Sequence, residues 1–173
     1  MPSVLPWTLE GARRQTLALL RSIAPDDAYA QSHPGEHHPG WVAGHLLLGD
    51  LYLLHLLGAA ALSDDFAELV ARYGPEGDPG ATAAGPEEFE AVVERLAEVG
   101  RRRVEAVAGA SEDDLDRPLP DAFMATAQPT IRHHLQAIAF HEGYHAGELL
   151  AWRRRRGLET VAWTFAPKSV ATD

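Results

Sequence analysis

The segment covering residues 42–62 constrains this chain more than any other. It reads VAGHLLLGDLYLLHLLGAAAL, with leucine at positions 46, 47, 48, 51, 53, 54, 56 and 57. A helix that is apolar on every side is buried on every side, either in a bundle core or in a bilayer. Asp50, His45 and His55 interrupt this segment and no basic residue flanks it. A lone membrane span carrying those groups is costly. The expectation is therefore the central helix of a soluble bundle, with no membrane partner. The N-terminus lacks a basic start followed by an apolar run, so the expected location is cytoplasmic.

The rest of the chain supplies helices to surround it. Residues 8–23 place Leu9, Ala12, Thr16, Leu19, Leu20 and Ile23 on one face, closed by Pro25. The apolar helix is expected over 39–58, from Pro39 to Gly58. A long connection follows, with a short helix expected at 63–73. A third long helix opens at Pro86 with Glu87 and Glu88 and runs to about residue 108. Ser111 and Asp114 predict a capping turn. The fourth helix is expected over 129–157, from Pro129 to Gly157. No stretch sustains period-2 alternation. The fold class expected is all-α: a four-helix bundle with a long connection between helices two and three, in a single domain spanning residues 1–173.

Composition removes several function classes. There is no cysteine among the 173 residues, which excludes disulfides, thiolate metal sites and cysteine nucleophiles. The net charge of −10 argues against a general nucleic-acid binder. What stands out is nine histidines.

In the fourth helix Ile131, Ile138, His145 and Trp152 fall on one heptad line, and His134, His141 and Glu148 on the next. Imidazoles thus occupy the stripe where leucine normally sits. His141 and His145 are four apart and can reach one ion. His134 lies about 10 Å along the helix from His141, too far to share it. Trp41, His45, Leu48 and Tyr52 form the matching stripe of the second helix, and packing the stripes together can bring His45 onto the pair. Three imidazoles make a metal site with open positions; the alternative is three satisfied core histidines. His33, His37 and His38 read as solvated loop residues, His55 as a helix-end histidine and His133 as facing water. Asp50 reads either as a polar-edge residue or as a partner of a ligand. Tyr144 is either a donor beside the ligands or a surface tyrosine. The basic runs lie at 101–103 and 153–156; the second favours the dipole at the end of the fourth helix, with an anionic-substrate patch as the alternative.

Two other motifs overlap these residues. His141-Glu142-Gly143-Tyr144-His145 matches the H-E-x-x-H zinc-protease pattern. The extended version of that motif needs glycine at 148 and histidine at 151, where Glu148 and Ala151 stand. No sheet is predicted to hold a peptide. Glu142 with His145 also matches the E-x-x-H of di-iron bundles, but the second such motif they require is missing.

Trp41-Val42-Ala43-Gly44-His45-Leu46, together with His141-Glu142-Gly143-Tyr144-His145-Ala146-Gly147-Glu148-Leu149, resembles the DinB/YfiT-like superfamily. The resemblance extends over most of the chain, including the helix order, the 112–120 linker and the Arg153–Gly157–Leu158 ending. It implies an up-down-down-up four-helix bundle that binds a divalent transition metal, zinc or nickel, through His45, His141 and His145. The family commonly has glutamine where Glu148 stands, so this carboxylate is either a partner orienting a histidine or a polar residue at the bundle's end. Characterised members include transferases and isomerases that use low-molecular-weight thiols such as mycothiol or bacillithiol. Three functional readings follow. The first is a metal-dependent enzyme acting on a small-molecule substrate, by thiol-dependent S-transfer. The second is metal-assisted hydrolysis with Glu142 or Glu148 as base, although Glu142 points about 100° around the helix from His141. The third is a non-catalytic, metal-stabilised stress or ligand-binding protein. A homodimer is expected, with no nucleic-acid partner.

Overall fold

The structure, a computed structural model, describes residues 4–82, 85–120 and 127–164. Among these residues it contains the α-helices α1 (Val4–Arg21), α2 (Pro39–Leu56), α3 (Phe66–Tyr73), α4 (Pro86–Gly109), α5 (Glu112–Leu115) and α6 (Ile131–Arg155). No strand occurs among the described residues; one isolated bridge joins Pro118 to Thr130. The all-α expectation holds, with shifted ends. α1 starts a turn earlier than the periodicity indicates, at Val4, with the Thr8 hydroxyl donating to the Val4 carbonyl within its first turn. It also stops two residues sooner, with Ser22 and Ile23 bonded three residues back. Gly58 and Gly157 adopt positive φ just past α2 and α6, where L side chains are strained. Ser111 and Asp114 form the expected capping box, which starts the single turn of α5.

The side-chain pairs between helices give their directions. Leu9 and Arg21 of α1 meet Arg103 and Glu94 of α4, so that pair is antiparallel. Arg13 of α1 and Ser22, just past its end, meet Glu142 and Arg153 of α6, so that pair is parallel. Trp41 and Tyr52 of α2 meet His145 and His134 of α6, so that pair is antiparallel. The chain therefore runs up through α1, down through α2, down again through α4 and up through α6. Two successive parallel helices need a connection that returns the length of the bundle. Residues 57–85 provide it, with α3 laid against α2 on the way.

α2 is buried on nearly all sides, as its composition requires. Leu46, Leu47, Leu51 and Leu54 join Leu19, Leu20, Leu96, Leu149 and Trp152 in the larger apolar cluster. Leu53 and Leu56 join Leu9, Val107, Ile131 and Leu135 in a second one toward the other end. Glycines admit close neighbours on this helix. A Cβ at Gly44 would lie 2.5 Å from the Tyr73 ring, and one at Gly40 would lie 2.5 Å from that of Tyr29.

Four charges sit inside this apolar frame, one from each long helix. Arg13 bonds Asp50 and Glu142 at 2.6 Å each, and Arg103 bonds Asp50 at 2.7 Å and Glu142 at 3.1 Å. The guanidiniums also donate to the Leu96 and Leu9 carbonyls. None of the four side chains is more than 5% exposed. Asp50 is thus neither on a polar edge nor beside an imidazole. Arg103, the last of three successive arginines, is a core residue. Two positive and two negative charges cancel, and each ion has opposite-charge partners on two other helices. Removing one member leaves the remainder buried and unbalanced, which costs about 3–5 kcal/mol. We expect Arg103→Ala and Glu142→Ala to lower the stability of the chain by that amount in urea unfolding. Glu10→Ala, which breaks an exposed pair with Arg14, should change stability by under about 0.5 kcal/mol.

Candidate metal centre

The α2 and α6 stripes meet as the heptad lines require. The Nε2 atoms of His45 and His141 lie 3.1 Å apart, and those of His145 and His141 lie 2.9 Å apart. Each of the three residues offers one ligand atom within 4.8 Å of the others. His134 takes no part: its Nδ1 faces Gln128 Oε1 at 2.6 Å and its ring packs edge-on against Tyr52.

The other ring nitrogens decide what these Nε2 atoms can do. His45 Nδ1–H donates to the Tyr73 carbonyl at 2.7 Å. His145 Nδ1–H donates to Glu148 Oε2 at 2.6 Å. Both rings therefore present an Nε2 lone pair to the cluster. His141 Nε2 can carry at most one proton, which satisfies only one of its two neighbours. Three inward nitrogens with so few protons among them fit a cation. At metal–nitrogen distances of 2.0–2.1 Å, tetrahedral geometry separates the ligand atoms by about 3.3 Å, close to the spacing found. The donor set of neutral imidazoles suits zinc, nickel, copper or iron better than magnesium or calcium.

Electrostatics favours the ligating form. Burial pushes His45 down to about 4, and the neighbouring imidazoles add to the effect. Burial and His145 likewise bring His141 to about 4. Both rings are neutral at pH 7. Burial raises the Glu148 carboxyl, but hydrogen bonds from His145 and His37 outweigh it and hold the group at about 2. Glu148 is therefore an ionised partner of a histidine, one of the two roles its position left open.

The local sequence explains the placement. Gly44 lets Tyr73 close onto α2, and the Tyr73 carbonyl is the acceptor that orients His45. The long connection thus helps set the tautomer of that imidazole. Glu148 follows His145 by three residues, so both lie on one face of α6.

The structure corrects two readings of the loop ahead of α2. His38 is not solvated: its Nδ1 accepts from the Trp41 amide at 3.0 Å, capping the helix, and its Nε2 faces the Pro79 carbonyl at 2.8 Å. His37 is half-buried against Trp41, with ring centroids 4.0 Å apart and nearly parallel planes, and its Nδ1 faces Glu148. Residues 37, 41 and 45 are spaced by four, the only sign of this stack in the sequence. Glu142 is fully buried, tied to Arg13 and Arg103, and held by them below the usual carboxylate range despite its burial. It is not available as a base at the imidazoles, so the H-E-x-x-H reading fails on geometry as well as on the extended motif. Tyr144 is 56% exposed and packs edge-on against His145. His133 meets the Thr130 hydroxyl at the start of α6. A surface hollow of about 370 Å³ lies between α1 and α4, away from this cluster.

An up-down-down-up helical bundle with three imidazoles converging from its second and last long helices is the class that this architecture defines. The chain belongs to the DinB superfamily: the model of that family matches residues 8–149, most of the molecule. No curated protein and no solved structure matches the chain. No helix among the described residues is long and apolar enough to cross a membrane.

The depressed imidazoles carry a pH signature. In the unfolded chain they titrate near 6.5, and in the folded chain near 4. Between these values the unfolded state binds more protons, so the stability they contribute is complete above 6.5 and is lost as pH falls toward 4. His38 and His134, also lowered by burial, act in the same direction. The melting temperature of metal-free protein should therefore fall over this window. A His45→Gln/His141→Gln variant should show a flatter profile across it.

Proposed function

We propose that the protein is a metal-dependent enzyme acting on a small molecule, with His45, His141 and His145 as ligands of a divalent transition ion, zinc or nickel. One observation carries the reading: three Nε2 atoms converge within hydrogen-bond distance while the Nδ1 atoms of His45 and His145 are committed elsewhere. Three protein ligands, with a fourth position left open, distinguish a site for chemistry from a purely structural one. A divalent ion supplies Lewis acidity that favours the deprotonated form of a bound thiol or water.

Between thiol transfer and hydrolysis, the surrounding carboxylates favour the thiol. Hydrolysis calls for a nearby general base. Glu142 is enclosed between two guanidiniums, and Glu148 already accepts from His145 and His37. A thiol is far more acidic than water and has less need of such a base. With no cysteine in the chain, the sulfur would come from a low-molecular-weight thiol cofactor. His45 and His141 are partly exposed, and Tyr144 stands beside His145 at the surface, where it can border the electrophile.

Elemental analysis of gently purified protein tests the ligand set. We expect about one transition-metal ion per chain, as a mononuclear three-histidine site requires, with His45→Ala and His141→Ala each losing it. The loaded protein should then join a small thiol to an electrophile, and the metal-free protein should not. Turnover that needs no thiol would support hydrolysis instead. Stoichiometric metal without turnover on any thiol and electrophile would leave a metal-stabilised binding protein.

A further inference from the structure

His37 stands one residue before the cap of α2 and outside the three-imidazole cluster, yet it touches both sides of it. Its ring stacks on Trp41 at 4.0 Å with planes 10° apart, and Trp41 stacks on His45 at 4.5 Å with planes 11° apart. Its Nδ1 lies 3.2 Å from each oxygen of Glu148, the carboxylate that accepts from His145 Nδ1 at 2.6 Å. A closed ring of contacts results: His37 to Trp41 to His45 on the α2 side, and His37 to Glu148 to His145 on the α6 side. The loop that carries His37 is itself fastened to the end of α6. Trp152 Nε1 donates to the Ala30 carbonyl at 2.9 Å, and Arg155 pairs with Glu36.

We infer that His37 and Glu148 form a clasp that positions His45 and His145 for a shared metal ion. This rests on the reading of those imidazoles as ligands. His37 is a positioning residue and supplies no ligand of its own. Glu148 accepts two N–H donors, which fixes the direction of its Oε2 and so the rotation of the His145 ring. The stack through Trp41 restrains the His45 ring from the opposite side. Partners of this kind commonly govern metal affinity by about 10–100-fold.

The same atoms suggest a competing arrangement. His37, His145 and Glu148 bring their ligand atoms within 4.8 Å of one another, as a second cation site would. Ligation through His145 Nδ1 would end its hydrogen bond to Glu148. A neutral ring bound that way carries its proton on Nε2 and leaves the first cluster with two nitrogens. One neutral imidazole cannot serve both, and the geometry with three inward Nε2 atoms favours the clasp.

The test uses the full chain, with zinc affinity measured by competition with a chromophoric chelator and coordination geometry read from the visible spectrum after loading with cobalt(II). His37→Ala should weaken zinc binding by about tenfold or more and change the cobalt spectrum, with little change in the melting of the metal-free protein. His37→Gln, which can still donate to Glu148, should recover most of the affinity. His37→Phe, which keeps only the stack, should recover less, and Glu148→Gln should fall between wild type and His37→Ala. Unchanged affinity and spectrum in His37→Ala would overturn the clasp while leaving the ligand set intact. So would a loss of metal-free stability large enough to account for the whole drop. Two zinc ions per wild-type chain, with one lost in His37→Ala, would replace the clasp by a second site. If wild type binds no metal, the ligand reading fails and the clasp falls with it.

Discussion

The arrangement of this bundle depends on the four buried charges Arg13, Asp50, Arg103 and Glu142. Leucine contacts are tolerant of small rotations and slides, because apolar contact has no direction. Ion pairs at 2.6–3.1 Å are not tolerant, and these join all four long helices at one level of the core. A sliding or rotation of any helix would strand a charge in a medium that cannot solvate it. A buried cluster of this kind adds little net stability over an apolar core, and its ion pairs are made only in the observed register.

That register is what the imidazoles need. Glu142 follows His141 directly in α6, and Asp50 lies five residues after His45 in α2. Fixing the two carboxylates against Arg13 and Arg103 fixes the rotation of both helices, which turns His45, His141 and His145 toward each other. The glutamate inside the H-E-x-x-H pattern thus faces the opposite way from the one in a zinc protease. It holds the helix in place, and the orienting carboxylate for the site is Glu148.

Much of this was legible in order along the chain. The helices were, because helical periodicity, proline starts and glycine ends are local properties; the errors are confined to ends, where a few hydrogen bonds decide. The pair His141 and His145 was legible because a spacing of four fixes proximity within a helix. The match of His45 to them required only that two stripes face each other. The ionic cluster left a fainter sign. Arg13, Asp50, Arg103 and Glu142 each stand on or beside an apolar stripe, as Arg103 does between Val99 and Val107. Read one at a time they look like edge residues; their charges sum to zero only when taken together. His37 and His38 carried less signal still, since a loop has no period from which to project a direction.

The sequence by itself determined the helical class, the placement of the apolar central helix and the set of nitrogen donors that two facing stripes can bring together. These follow from local periodicity and from residue chemistry, and neither depends on long-range contact. Only the tertiary structure decided which nitrogen of each imidazole turns inward, which carboxylate is buried among guanidiniums and which one accepts from an imidazole of the cluster. Those outcomes rest on groups far apart in the chain, the Tyr73 carbonyl for His45, His37 for Glu148 and Arg13 for Glu142. A hydrogen bond or ion pair is set by distances of tenths of an ångström, and no local pattern specifies these until the helices have packed.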